Sequence, residues 1–513
     1  MRKLCRVLFS RYAVSLLFIV ADVLFLTLLA LYLSSLFQTI ALFLLLLFDA
    51  VMLLHLINRD TAPENKLPWA VIILSLPVLG ALLYHLFFSR KLSRRERKHM
   101  KEMSVFHPSE PEHTAQLDVL ATEDASAAGK AMAILREDKL AMVYRGTRAR
   151  YFDDGRTMFD AMVEDIRAAK RYIFIETFIL EEGVMWGTVH AILKEKVAQG
   201  LQVRLLYDDI GCMKTLPRYY DHSLRAEGID VHRFAPVSPR VTVAHNNRDH
   251  RKIVVVDGEV AYTGGINFAD EYIHERIRFG HWKDGGVRIE GEAVDGLLRL
   301  FLVSYNLTTF SMLDAAAYRA SNESVPTVGD DGYYIPFGSG PVPLYDAPVG
   351  KNAFLNIISQ AERYVYVTTP YLIMDFELTQ AFCNAAKRGV DVRIMTPHVP
   401  DKKLIFLLTR SAYPSLIEAG VRIFEYTPGF LHEKLLVSDD LYSIVGTINL
   451  DYRSFAHHFE DAVWMYRSSV ISVARDSFMQ AQQEAKEIEK GDVPMTLFQK
   501  LLRNIIRLFA PLL

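Results

Sequence analysis

One pattern occurs twice in this chain. HRKIVVVD at 250–257 is answered by HEKLLVSD at 432–439, 182 residues later, and Gly264 and Asn267 are answered by Gly446 and Asn449 at the same offset. A single HxKxxxxD is weak evidence of anything. Five matching polar or glycine positions within 18 residues, in register and without a gap, constrain the chain to fold as two similar halves.

The likeness extends upstream. RYIFIETFIL at 171–180 answers RYVYVTTPYL at 363–372, each a β-branched and aromatic run of the kind that forms a buried strand. Helical patterns precede both runs, FDAMVEDIRAAK and AFLNIISQAE. Further strands follow, LQVRLL against VDVRIM and IDVHRF against VRIFEY, each preceded by a glycine: Gly200, Gly389, Gly228 and Gly420. Strands alternating with helices predict α/β units with a largely parallel sheet.

Residues i and i+2 of a strand face one way. His250 and Lys252 therefore share a face, as do His432 and Lys434. Asp257 has the opposite parity and opens an Asp-Gly turn, so it is expected to orient backbone or a partner rather than to touch substrate, and Asp439 beside Asp440 likewise. A pseudo-symmetric pair of units brings two histidines and two lysines together. The lysines suit a phosphate. One neutral imidazole can attack phosphorus, and the other can protonate a leaving alcohol and deprotonate an incoming one. Asn267 and Asn449 can add hydrogen bonds to substrate. No metal or other cofactor is implied, because HxK supplies one ligand and lysine is normally protonated.

These residues resemble the phospholipase D superfamily, whose signature is two HxKxxxxD motifs. The resemblance covers roughly 130–490. The segments RDHRKIVVVDGEVAYTGGINFADEY, HWKDGGVRIEG and GTINLDYRSFAHHFED are similar to the bacterial cardiolipin synthase branch. It implies two repeats, each a mixed sheet flanked by helices, packed as a pseudo-dimer with one site at their interface. It places His250, Lys252, Asp257, His432, Lys434 and Asp439 in the catalytic motifs, and it offers Glu271 and Glu460 as carboxylates that hydrogen-bond a catalytic histidine. His458 stands where Asn is usual and Tyr305 where Trp is usual. The implied reaction is a ping-pong transfer between two phosphatidylglycerol molecules through a phosphohistidine, giving cardiolipin and glycerol. His250 is the expected nucleophile, although repeat symmetry allows His432. A hydrolase using the same residues and a non-catalytic membrane scaffold are the alternatives.

The N-terminus carries the apolar excess. Between Arg11 and Arg59 the only formal charges are Asp22 and Asp49 over 47 residues, about 70 Å of helix, where one crossing needs about 20 residues. Two spans are read, at 13–35 and 39–57, and a third apolar run at 69–88. Seven Lys and Arg between Arg90 and Lys101 mark a cytoplasmic flank and put the catalytic bulk in the cytoplasm. The N-terminal Arg2, Lys3, Arg6 and Arg11 oppose three full crossings, so one segment is alternatively a re-entrant or interfacial hairpin. The expected organisation is a membrane region at 1–89, a basic stretch and linker at 90–130, repeats at 131–325 and 326–490, and an amphipathic helix at 491–513. Net charge is −2, which with the membrane segments argues against nucleic acid as a partner. The partners expected are phosphatidylglycerol and other membrane phospholipids.

Overall fold

The computed structural model describes residue 27 and residues 35–59, 61, 63–76, 78–87, 94–103, 107–108, 110–236, 247–320, 332–341, 344–345, 347–493 and 496–512. The chain forms two compact units. The smaller comprises residues 1–91, 240–244 and 504–513, and the larger comprises 92–239 and 245–503.

In the smaller unit, Ser35–Ile57 is one helix. Its stretch Leu36–Ile57 has a mean hydropathy of 2.7, long and apolar enough to cross a bilayer. The expected span at 13–35 lies almost wholly outside the described residues. The third apolar run is not one helix. It is split between Pro63–Ser75 and Leu79–Phe87, with Val78 held at φ 65° in the break. Thirteen residues make about 20 Å, short of the ~30 Å hydrocarbon core. The two short helices approach closely at Gly80, where a Cβ would lie 2.3 Å from the Ile72 carbonyl oxygen. Leu56, Trp69, Ile73 and Tyr84 form the core there.

In the larger unit each half builds a sheet. The first contains β1 (Thr147–Phe152), β2 (Tyr172–Thr177), β3 (Gln202–Asp208), β4 (Asp230–Phe234), β5 (Ile253–Val256), β6 (Val260–Gly264) and β7 (Gly286–Gly291), in spatial order β1-β7-β6-β5-β2-β3-β4. The second contains β8 (Tyr333–Ser339), β9 (Tyr364–Thr368), β10 (Asp391–Pro397), β11 (Arg422–Tyr426), β12 (Leu435–Ser438), β13 (Tyr442–Gly446), β14 (Glu460–Tyr466) and β15 (Ala485–Ile488), in order β15-β11-β10-β9-β12-β13-β14-β8. Apart from the extra edge strand β15, the two orders are the same. Only β2-β3-β4 and β9-β10-β11 run parallel; the remaining pairs are antiparallel. The sheets are thus mixed. The largely parallel reading fails at the motif strands, which form hairpins rather than crossover units.

Those hairpins explain the motif aspartates. Asp257 and Gly258 both have positive φ (56° and 75°), as do Asp439 and Asp440 (58° and 59°). This is the backbone of a tight two-residue hairpin turn. The Asp257 carboxylate accepts the backbone N–H groups of Lys170, Arg171 and Tyr172, at 2.7, 2.7 and 2.8 Å. Asp439 accepts those of Glu362, Arg363 and Tyr364, each at 2.9 Å. Each aspartate ties the start of the strand that runs beside its own. Asp257→Ala or Asp439→Ala leaves three donors without that acceptor and is expected to destabilise the larger unit by about 2–4 kcal/mol, read as a drop in unfolding midpoint.

The stretch expected as a linker at 90–130 is helical at Arg94–Met103, Glu110–Glu123 and Ala125–Glu137. Asp124 caps the last helix, accepting from the Ala127 N–H, and also accepts from the Tyr466 hydroxyl at 2.6 Å. Lys130 is buried against Gln360 and Tyr442. Leu117, Leu120, Ala127, Ala131 and Ile134 join a core to which both sheets contribute. Polar composition suggested a linker; a narrow apolar stripe makes these helices part of the domain. The C-terminal helix is present at Leu497–Phe509, with Leu497, Leu501 and Ile505 exposed along one side.

Candidate active site

Both HxK segments lie just before a hairpin strand, His250–Lys252 before β5 and His432–Lys434 before β12. The residue between His250 and Lys252 turns the other way. Arg251 is fully buried, donating to the carbonyls of Glu460 and Leu300, to Ser304 and to the Tyr345 hydroxyl. His250 and Lys252 are left together, the lysine Nζ donating to the His250 carbonyl at 2.7 Å. Lys434 does the same to the His432 carbonyl.

Each histidine is held by the opposite half. The His250 N–H donates to the Phe459 carbonyl at 2.9 Å, and that of His432 to the Lys283 carbonyl at 2.8 Å. His250 Nδ1 meets Glu460 Oε2 at 2.9 Å, and His432 Nδ1 meets Asp284 Oδ2 at 2.6 Å. An ionised carboxylate only accepts, so each Nδ1 carries the proton and each Nε2 keeps its lone pair. The strand registers make the two carboxylates equivalent: Gly286 pairs with Gly264, Ala462 pairs with Gly446, and the carboxylate lies two residues earlier in each case. The repeated glycines have a reason here. A Cβ on Gly264 would lie 2.4 Å from the Gly285 carbonyl oxygen, and one on Gly446 would lie 2.3 Å from that of Asp461. Only glycine lets the backbone beside each carboxylate come so close.

The site is buried and charged. Burial pushes the His250 imidazolium down to about 3, against the pull of Glu460, and burial with Lys434 pushes His432 down to about 4. Both rings are neutral at neutral pH. Burial would raise Glu460 and Asp284, yet the histidine beside each holds its carboxyl below the usual range. Burial lowers Lys252 to about 8 and Lys434 to about 7, opposed by Glu460 and Asp284, which act on both. Lys252 in turn acts on Lys434 and on His432. The two half-sites therefore share one field. The rings around them differ: Phe178 and His458 pack on His250, while Tyr272, Trp282 and Phe430 pack on His432.

Other sequence candidates fall elsewhere. Asp257 and Asp439 are the strand ties described above and are not at the imidazoles. Glu271 is ion-paired with Arg276 and Arg278, not with His250 or His432. Asn267 accepts from the Ile179 N–H and donates to the Tyr272 hydroxyl, so it braces a turn. Asn449 is buried with its Oδ1 unpartnered. Tyr305 donates to Asp230, on β4. Asp208 holds Arg248 and the Asp249 N–H, which fixes the approach to His250. Sequence reasoning missed Asp284. The signal was present, since HWKD leads into β7 and HFED runs into β14, but aligned by letters Asp284 matches Asp461, not Glu460.

Two mirrored imidazole–carboxylate pairs are compatible with two HxKxxxxD repeats, and comparison with known proteins gives the family. The family described as cardiolipin synthase, PLD-like domain, matches residues 162–276 and 354–481. A cardiolipin synthase of Alkalihalophilus pseudofirmus is 31% identical over 458 residues, 88% of this chain and 89% of that protein. The chain belongs to the phospholipase D-type cardiolipin synthases. The phospholipase D-nuclease N-terminal family matches residues 41–87. An uncharacterized protein of Streptococcus mutans serotype c is 38% identical over 463 residues, 90% of this chain and 99% of that one. Among solved structures, the phosphatidylserine synthase of Haemophilus influenzae matches this cardiolipin synthase family member in fold, with a TM-score of 0.54 and 16% identity, over 71% of this chain and 93% of that one.

Proposed function

We propose that this phosphatidyltransferase joins two phosphatidylglycerol molecules through a covalent intermediate on His250. The observation that carries the reading is the crossed pairing of His250 with Glu460 and of His432 with Asp284. Nε2 of His250 attacks phosphorus and the bond to the head-group glycerol breaks; the anionic phosphate of the bound lipid raises the pKa of His432, whose Nε2 takes up a proton as the lipid binds and gives it to the departing glycerol oxygen. A hydroxyl of the second phosphatidylglycerol then attacks phosphorus, giving its proton to His432, and the P–N bond breaks. Lys252 and Lys434 meet the negative charge that grows on the phosphoryl oxygens, in a site where few waters screen it. Exclusion of water favours the lipid hydroxyl over hydrolysis.

The apolar helix at Leu36–Ile57 supports anchoring in a bilayer beside both substrates. The basic flank at 90–101 supports a cytoplasmic catalytic unit and a multi-pass N-terminal region. Labelled phosphatidylglycerol supplied to the full chain in detergent should yield cardiolipin and free glycerol. Phosphatidate as the main product would mean that water is the acceptor.

The lysines set the alkaline limit. Each is charged below its pKa and neutral above it, and Lys434 and Lys252 lie at about 7 and about 8. kcat/KM, which reports the free enzyme, is expected to fall as pH rises through 7 to 9. Lys434→Arg, whose guanidinium stays charged, should lose the lower of the two steps. A profile flat to pH 9.5 in the wild type would contradict the assignment.

A further inference from the structure

His458 has no part in the chemistry above, yet it is 8% exposed, and neither ring nitrogen has a hydrogen-bond partner; Glu460 Oε1 has none either. Buried polar atoms are rarely left so. Glu460 lies between two imidazoles. Its Oε2 is 2.9 Å from His250 Nδ1, and its Oε1 is 3.6 Å from His458 Nδ1. One donor atom from each of the three residues falls within 4.8 Å of the others. Zinc bonds of about 2.0–2.2 Å in a tetrahedron put donor atoms roughly 3.3–3.6 Å apart, so this spacing needs little adjustment.

The two halves differ here. Counting back four residues from the paired glycine and alanine of β7 and β14 makes His458 the equivalent of Trp282. An indole donates but cannot ligate. The second half thus presents a ligand where the first presents a wall, and His250 alone gains a histidine–carboxylate partner set.

We propose that His250, Glu460 and His458 form a binding site for a zinc-type divalent cation. Two imidazoles and one carboxylate suit zinc and its first-row neighbours and do not suit magnesium, which prefers oxygen ligands and keeps its waters. The cation takes an Nδ1 lone pair of His250, and the proton that nitrogen held shifts to Nε2, so the ring stays neutral and loses the lone pair that would attack phosphorus. The hydrogen bond that aims the ring is replaced by a metal bond, with the remaining coordination position open to water. Bound cation therefore inhibits transfer; the inhibition, unlike the binding, rests on His250 acting in the reaction.

A second, more exposed trio, Asp154, His274 and His281, also has metal-ligand spacing, so binding is measured on chelator-treated full-length enzyme carrying His274→Asn. Equilibrium dialysis against zinc should give one ion per chain at micromolar concentration. Magnesium at millimolar concentration should neither bind there nor compete. Adding His458→Asn or His458→Phe should weaken zinc binding tenfold or more. Zinc should lower transfer activity at least tenfold, reversed by chelator. Absence of stoichiometric zinc, or binding undiminished in both His458 variants, overturns the site. Zinc bound through His458 with activity intact supports the site and contradicts the catalytic role of His250.

Discussion

His250→Ala and His432→Ala are each expected to lower kcat/KM for phosphatidyl transfer by on the order of 10⁴-fold or more, and the double variant should be little worse than either single one. A nucleophile and its acid/base partner act as a unit, so removing one forfeits what the other contributes. Each substitution also leaves a buried carboxylate, Glu460 or Asp284, without its imidazole, so the unfolding midpoint should fall as well and activity is compared on the folded fraction. Two singles with partial, multiplicative losses would mean that the halves work independently. Cardiolipin and glycerol formation from labelled phosphatidylglycerol is the readout.

The second large effect concerns the carboxylates. Asp284→Asn and Glu460→Gln keep shape and remove charge. An amide in either place can present its N–H₂ to the imidazole and stabilise the wrong tautomer, with the lone pair on Nδ1 and the proton on Nε2. The expected loss is about 10²- to 10⁴-fold in kcat with a smaller change in KM. Asp284 is the sharper test. It belongs to the first half and is in contact with a histidine of the second, His432. If His432 and Asp284 were unrelated to transfer, Asp284→Asn would match the wild type in kcat.

Much of this was legible in the sequence because the repeat is unbroken where the chemistry is. The offset of 182 residues predicted two equivalent halves, and the strand orders of the two sheets are the same apart from one edge strand. Parity predicted that Asp257 and Asp439 serve backbone or a partner rather than substrate, and each accepts three backbone N–H groups. Partnerships across the halves were not legible. Glu271 and Glu460 looked alike from their motifs, but one is neutralised by two arginines within seven residues and the other crosses to His250. Asp284 follows the same geometry as Glu460 from a different local alignment, since strand register, not letter matching, defines equivalence. The helices at 94–137 were hidden by polar composition: only a few alanines and leucines per turn face the core, which suffices for packing and is too sparse to read as a stripe. The break near Val78 has Pro77 and Gly80 beside it in the sequence, residues that membrane helices also tolerate in their interior, so the sequence marks the place without deciding that the helix stops there.

One lipid phosphate should pass through a covalent bond to an imidazole held by the opposite half. Full-length enzyme mixed with phosphatidylglycerol labelled in its phosphate, quenched within a turnover and kept at alkaline pH, should carry acid-labile label. Peptide mapping should place that label on His250, and chasing with unlabelled phosphatidylglycerol should move it into cardiolipin. Label on His432 would exchange the two roles and keep the mechanism. Label on neither histidine, with cardiolipin still formed at the full rate, would contradict it.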